Sequence, residues 1–172
     1  MDVESYATLE SVKLIAPSLP ANGRDQNIAL LDIGAHVTHF YVLRNNQALF
    51  SRDQAFGGNQ LTHDIQRAFN LSPDEAESAK KSQGLPENYD ADVLHPFMET
   101  LALEVTRALQ FFFTSTSYSQ VDQVVLAGGC ALLPGLDELV AKRAGVPTLV
   151  ANPFSSMTAS ERIRPRQLAQ DA

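Results

Sequence analysis

Two segments of the sequence place a glycine turn directly after a run of apolar residues: LLDIGAHVTHF and VVLAGGCALLPGL. In the first segment, apolar residues between Ile28 and Ile33 occupy both faces of an extended chain, which predicts a central, buried β-strand. A glycine turn after such a strand leaves backbone N–H groups free and lets a phosphate approach without meeting a Cβ atom. Each segment by itself is more often a plain structural turn.

The residues that surround the first strand predict a β-meander. Further strands are expected around HFYVL and QALFS, and the pair Asn45-Asn46 between them is typical of a tight turn. Residues 2–15 have the apolar spacing of a short amphipathic helix, and the linker that follows contains prolines and a glycine.

Helical spacing replaces this pattern in the middle of the chain. A four-residue apolar repeat over 61–69 predicts one helix. The run SPDE at 72–75 starts a second helix, which should end near Gly84, because it combines a capping serine, a proline in the first turn and a reciprocal glutamate. The longest helix is predicted over 92–114, where the apolar stripe indicates packing against a core rather than a ligand site.

The C-terminal part returns to strands. VDQVVLAGG predicts a strand that runs into a glycine turn, and VPTLVANPF predicts a short last strand. Between them, LLPGLDELVAKRAG predicts a helix with Pro134 near its start and Gly145 at its end. A strand-rich start, a helical middle and this ending together indicate an α/β fold.

The composition restricts the class of function. A formal net charge of −7 argues against a nucleic-acid partner, and the arginines between 162 and 166 are typical of a solvated tail. The single cysteine, Cys130, excludes an internal disulfide and fits a reducing, cytoplasmic compartment. No apolar run approaches the roughly 18 residues of a membrane-spanning helix.

Two further groups of residues bear on possible sites. His36 and His39 are three apart in a predicted strand and should face opposite sides, which argues against a shared metal. The three phenylalanines at 111–113 cannot all face one side of a helix. At least one of them is therefore predicted to meet another lobe or a partner.

In content, order and spacing, the two glycine turns resemble the second phosphate loop and the adenosine loop of the actin/Hsp70/sugar-kinase fold. The pieces FGGNQLT, EAESAKK, LPENYD, RALQFFF and TLVANPF are similar to the PilM family of type IV pilus assembly proteins, which resembles the cell-division protein FtsA. The resemblance runs from about residue 28 to 154, and MDVESYATLE is similar to the helix that ends the preceding lobe. It implies the second lobe of an actin-like, ribonuclease H-like α/β protein with a mixed sheet and packed helices.

The same resemblance implies how the chain is divided. Residues 1–27 would be the trailing helix of the preceding lobe plus a linker, and residues 155–172 a C-terminal tail. A core α/β subdomain would comprise 28–56 and 118–154, and a mainly helical subdomain, 57–117, would be inserted in it. The family's first phosphate loop and its last glycine-containing helix have no counterpart in this sequence, so we expect one half of a longer protein.

The resemblance also implies a site for ATP or ADP with magnesium. The residues implied to contact the nucleotide are Asp32, Gly34, Ala35, Thr38, Gly58, Glu77, Lys80, Gly128 and Gly129. Asp32 would hold magnesium through water. Glu77 and Lys80 would flank the ribose and base, although their three-residue spacing is equally typical of a surface ion pair. The loop reads GAHVTH where the family has Gly-Gly-Gly-Thr and a final acid, which implies at most weak ATPase activity in the complete protein.

Three functions follow from this resemblance. The first is a nucleotide-responsive scaffold on the cytoplasmic face of the inner membrane. It would bind the cytoplasmic tail of the membrane protein PilN mainly through the missing lobe, as well as other cytoplasmic pilus components or copies of itself. The second is a nucleotide-free interaction module that keeps the fold. The third is a small-molecule kinase, which would need a base and both phosphate loops.

Overall fold

The computed structural model describes residues 13–152 and Phe154, apart from 46, 83 and 153. Within these residues the chain forms a mixed sheet in the order β3-β2-β1-β4-β5. The strands are β1 Ile28–Ile33, β2 Thr38–Arg44, β3 Gln47–Gln54, β4 Gln123–Ala127 and β5 Thr148–Val150. All five strands predicted from the sequence are confirmed. The predicted arginine-containing tail and most of the predicted first helix lie outside the described residues. Of that predicted helix, residues 13–15 are described, and they are helical.

β1 lies at the centre of the sheet, as its two-sided apolar pattern predicts. It pairs antiparallel with β2 and parallel with β4, and β2 pairs antiparallel with β3, which completes the meander. Asn45 has a φ of +51°, the left-handed conformation that asparagine tolerates in turns. Because alternate side chains of β1 point to opposite faces, Leu31 and Leu30 belong to two separate hydrophobic clusters.

Helices cover one face of the sheet. They are α1 Gly58–Phe69, α2 Pro73–Ser82, α3 His95–Ser115, which follows the π-helical turn Asp90–Leu94, and α4 Leu136–Ala144. A hydrophobic cluster joins Leu31 of the sheet to Ile65 of α1, Val105 of α3 and Val140 of α4. This cluster includes residues from both the predicted core subdomain and the predicted inserted subdomain. The division of the chain into these subdomains stays a prediction.

α4 begins later than the sequence pattern suggests. Gly129–Leu132 forms a short 3-10 turn, and Gly135 has a φ of +79°, which a right-handed helix cannot contain. The helix therefore starts at Leu136, and Pro134 lies two residues before it, near its start as predicted. Its end is as predicted, since Gly145 has a φ of +68° and donates its N–H to the carbonyl of Ala141.

Ser72 and Glu75 form the reciprocal capping arrangement predicted for α2. The Ser72 N–H donates to Glu75 Oε2 at 2.9 Å, and the Glu75 N–H donates to Ser72 Oγ at 3.4 Å. We expect Ser72→Ala to lower the free energy of unfolding by about 1 kcal/mol, because it leaves a helix N-terminal N–H without its side-chain acceptor. Urea denaturation would measure the loss. Ser78→Ala, an exposed serine within α2, is the control, and an equal loss in both variants would contradict the capping role.

The phenylalanines at the end of α3 face different directions. Phe112 is fully buried, whereas Phe111 is 45 % exposed. The Arg52 guanidinium lies over the Phe111 ring, 4.0 Å from its centroid. This confirms that the three rings cannot share one face. A contact of Phe111 with another lobe or a partner stays a prediction. Within the described residues, no helix combines the length and apolar character needed to cross a bilayer.

Candidate functional site

A cavity of about 450 Å³ lies where the ends of β1 and β4 meet α1 and α2. β1 and β4 are parallel neighbours, so the glycine turns that follow them lie side by side at one edge of the sheet. The wall consists of both turns, the first residues of α1 and one side of α2. Its residues are Ile33, Gly34, Ala35, Gly58, Asn59, Leu61, Glu77, Lys80, Lys81, Gly128, Gly129, Cys130 and Leu133.

Most of the site residues expected from the sequence line this single cavity. Those in the wall are Gly34, Ala35, Gly58, Glu77, Lys80, Gly128 and Gly129. The other two, Asp32 and Thr38, lie outside it. The fold thus brings together segments that are far apart in the chain and that only the resemblance had linked.

The turn glycines permit close packing between the two strand ends. Gly128 has a φ of +85°, and a Cβ atom there would lie far inside contact distance of the Ile33 carbonyl oxygen. A Cβ on Gly57 would lie 2.5 Å from the carbonyl oxygen of Gly34. Gly129 differs, because a Cβ there would meet nothing within 4 Å. Gly128 is therefore required by the packing of the protein itself, whereas Gly129 borders open space.

The N-terminus of α1 is already hydrogen-bonded by the first glycine turn. The Gly58 N–H donates to the carbonyl of Gly34 at 2.9 Å, and the Asn59 N–H donates to the carbonyl of Ala35 at 2.8 Å. Two of the N–H groups that a helix start offers to an anion are therefore engaged. Gly58 lies in the wall of the cavity, but its N–H is not free for a phosphate.

Asp32 and Thr38 lie on β1 and β2, away from the cavity wall. Thr38 is buried, and its hydroxyl donates to the carbonyl of Phe56 at 2.7 Å. Alternation along β1 places Asp32 on the face opposite to Ile33, which does line the cavity.

His36 lies in the loop before β2, so its predicted place in a strand is wrong, whereas His39 is in β2. Within the described residues, no group of three or more His, Cys, Asp or Glu side chains is arranged to hold a metal.

Glu77 and Lys80 form a hydrogen-bonded network at the cavity wall. Lys80 Nζ lies 2.7 Å from Glu77 Oε2, and Lys81 Nζ lies 3.2 Å from Glu77 Oε1. Thr62 of α1 joins them, since its hydroxyl donates to Glu77 Oε2 at 2.9 Å and accepts from Lys80 Nζ at 2.8 Å. The two side chains therefore form an ion pair that lines the cavity, and their contact with a ribose or base stays a prediction.

The network lowers the pKa of Glu77 to about 2, chiefly because Lys80 donates a hydrogen bond to its carboxylate, while burial opposes the shift. The lowered pKa means that the ionised form stabilises the folded state above pH 4.5, and that this contribution is lost as the pH falls towards 2. We expect Glu77→Gln to melt below the wild type at pH 6, and the difference to disappear between pH 4.5 and 2. Thermal melts at several pH values, with the exposed Glu138→Gln as control, would measure this. A difference that is unchanged at pH 2 would contradict it.

Several residues of the site were not identified from the sequence. Lys81 lies four residues after Glu77, so helical spacing would have been a sufficient signal for it. Asn59 and Leu133, which line the cavity, and Thr62, which contacts Glu77 and Lys80, carry no such signal, because only the packing of different elements brings them there. Burial raises the pKa of the Cys130 thiol, so this residue lacks the thiolate character of a nucleophile.

Solved structures of actin-like proteins share this architecture. An archaeal actin homologue, Ta0583, matches with a TM-score of 0.65 and 14 % identity over 87 % of this chain and 50 % of that one. MreB5 of Spiroplasma citri, solved with bound AMPPNP, matches with a TM-score of 0.59 and 16 % identity over 83 % of this chain and 53 % of that one. At such identities the likeness establishes the fold alone. The chain therefore has an actin-like α/β fold, as predicted.

The family follows from a second set of matches. The family model for type IV pilus assembly protein PilM matches residues 1–172. A structure of the PilM–PilN type IV pilus biogenesis complex matches with a TM-score of 0.79 and 30 % identity over 98 % of this chain. The chain belongs to the PilM family of type IV pilus assembly proteins. It spans 47 % of the length of the matched chain in that complex, which is about half.

Proposed function

We propose that this chain is the second-lobe part of a nucleotide-binding scaffold in the type IV pilus assembly complex. Its cavity would bind the adenosine part of ATP or ADP. The observation that carries this proposal is the convergence of both glycine turns and the Glu77–Lys80 pair on one cavity of about 450 Å³. That volume lies within the roughly 300–1,000 Å³ that small-molecule sites occupy.

The chemistry of the wall suits an adenosine group. Leu133, a half-buried residue of the wall, supplies apolar surface against which a base can pack. Within the described residues, Lys80 uses two of its three N–H donors in the network, and Glu77 Oε1 accepts from Lys81 alone, so one donor and one acceptor site remain for sugar hydroxyls. With two lysines beside one glutamate, the wall also favours an anionic ligand.

The arrangement supports binding rather than catalysis. A bound magnesium ion would neutralise phosphate charge, and Asp32 remains the residue proposed to hold it through water. Within the described residues, however, Asp32 belongs to no group of three or more His, Cys, Asp or Glu side chains arranged to hold a metal, and it lies outside the cavity wall. The N–H groups of Gly58 and Asn59 are engaged by the turn, so the phosphate end offers few free donors. We assign no catalytic residue.

The partners of the longer protein are part of the proposal. The solved PilM relative is in complex with PilN. We propose that the protein to which this chain belongs binds the cytoplasmic tail of PilN, mainly through its other half, at the cytoplasmic face of the inner membrane. The present half would contact other cytoplasmic pilus components or further copies of itself. Light scattering at high concentration tests self-association, which a clean monomer would contradict.

The nucleotide proposal is tested by titrating the chain with a fluorescent ATP analogue and magnesium. We expect Glu77→Ala and Lys80→Ala each to weaken binding by roughly tenfold, since each removes a charge-assisted contact. Lys142→Ala, an exposed lysine on α4, is the control and should leave the affinity unchanged.

A second function is favoured by the engaged N–H groups of α1. If the wild-type chain binds no analogue up to millimolar concentration, the nucleotide proposal fails. The chain would then be a nucleotide-free interaction module that keeps the actin-like fold. Binding that neither Glu77→Ala nor Lys80→Ala weakens would place the nucleotide at a different site.

A further inference from the structure

Thr62 is a buried hydroxyl at the junction between α1 and the charged pair of α2. It is 8 % exposed and lies one residue after Leu61, whose side chain lines the cavity. Its Oγ1 donates to Glu77 Oε2 at 2.9 Å and accepts from Lys80 Nζ at 2.8 Å, while Lys80 Nζ and Glu77 Oε2 are 2.7 Å apart. Each of the three groups thus contacts the other two. Thr62, the uncharged one, lies on α1, whereas Glu77 and Lys80 lie on α2.

We propose that Thr62 is a positioning residue for the ligand of this cavity. Its hydroxyl holds the Lys80 ammonium group and the Glu77 carboxylate in an orientation that leaves one N–H donor of Lys80 and one acceptor site of Glu77 free for the ligand. This inference rests on the proposed nucleotide function. Thr62 itself does not line the cavity, so it would act through the two charged side chains.

The hydrogen-bond inventory supports this role. A hydroxyl has one donor and two acceptor positions, and Thr62 uses its donor on the carboxylate and one acceptor on the ammonium group. Lys80 is only 22 % exposed, so its ammonium group is held close to the protein rather than extended into water. Without the hydroxyl, the four-carbon stem of Lys80 regains rotamers that binding would have to restrict again.

The groups that face Glu77 are Lys80, Lys81 and Thr62, and its charge is also felt by Cys130. Loss of the Thr62 hydroxyl removes one of the hydrogen bonds that stabilise the ionised carboxylate. A merely structural bond between α1 and α2 would change the stability of the fold alone. A positioning role changes, in addition, the state of the Glu77 carboxyl and the affinity for ligand.

The test compares Thr62→Val, which removes the hydroxyl at nearly constant volume, with Thr62→Ser, which keeps it. Thr106→Val is the matched control, because Thr106 also lies in a helix, in α3, and its hydroxyl donates to the backbone carbonyl of Ala102 at 2.9 Å. Each variant is titrated with the fluorescent ATP analogue and magnesium. The pKa of the Glu77 carboxyl is followed by carbon NMR.

We expect Thr62→Val to weaken binding by roughly tenfold and to raise the pKa of Glu77 above the wild-type value, since a hydrogen bond to a charged group is lost. Thr62→Ser should restore both quantities, and Thr106→Val should change neither. If Thr62→Val does not fold, Thr62→Ala gives the same comparison. Wild-type binding that Thr62→Val leaves unchanged overturns the inference but not the proposed function. Absence of wild-type binding overturns both.

Discussion

Phe112→Ala is expected to lower the free energy of unfolding by about 3–5 kcal/mol, the range typical of a phenylalanine truncated in a closed core. Phe112 is fully buried near the end of α3. Its ring centroid lies 5.6 Å from that of Phe50 on β3 and 5.9 Å from that of Tyr118, which stacks on it. Truncation leaves a void between the sheet and the helix, and the surrounding elements can close it only in part.

The preceding residue supplies a matched control. Phe111 is 45 % exposed, and its ring supports the Arg52 guanidinium on the surface. Phe111→Ala should therefore cost only about 0.5–1 kcal/mol. Urea denaturation followed by circular dichroism would measure both variants. Equal losses would contradict the difference in burial between the two adjacent rings. A large loss for Phe111→Ala alone would indicate that Phe111, and not Phe112, is the buried ring.

Gly128→Ala is the second substitution with a large expected effect. It should destabilise the chain by at least about 2 kcal/mol, because alanine at a φ of +85° is strained and its Cβ would collide with the backbone of Ile33. Relief of the collision requires β1 and the turn after β4 to separate at the cavity. We therefore expect the binding of the fluorescent ATP analogue to be lost together with stability.

Gly129 provides the comparison for this experiment. It adjoins Gly128 in the same turn, but a Cβ there would meet nothing within 4 Å. Gly129→Ala should stay within about 0.5 kcal/mol of the wild type, as surface substitutions usually do. Thermal melts of both variants would measure the contrast in stability, and the analogue titration would follow binding in the Gly128 variant. A Gly128 variant as stable as the Gly129 variant would contradict the close packing of the two strand ends.

The position of the cavity bears on the proposed nucleotide site. The wall described here holds Glu77, Lys80 and apolar surface, whereas Asp32 lies on the other face of β1 and outside the wall. Within the described residues, this wall thus offers polar and apolar partners for a ligand, but few free N–H donors for phosphates, because those of Gly58 and Asn59 are engaged.

Much of the local structure was determined by the sequence. The two-sided apolar run at β1 predicted its central place, and the run SPDE predicted the capped start of α2. The apolar stripe of α3 predicted its packed face. These predictions succeeded because each depends on residues within a few positions of one another, whose spacing directly determines which face of a strand or helix is apolar. The motifs also sufficed to indicate the actin-like fold and the PilM family.

The content of the site, by contrast, was decided only by tertiary structure. The parallel pairing of β1 with β4 brings Gly34 and Gly128 to one cavity, and the packing of α1 against α2 makes Thr62 a partner of Glu77 and Lys80. The contact between the start of α1 and the turn after β1 engages the N–H of Gly58, while Thr38 donates its hydroxyl to a backbone carbonyl. The physical reason is that hydrogen-bond partners and strand neighbours are set by contacts between distant segments, which the spacing of residues along one segment does not encode.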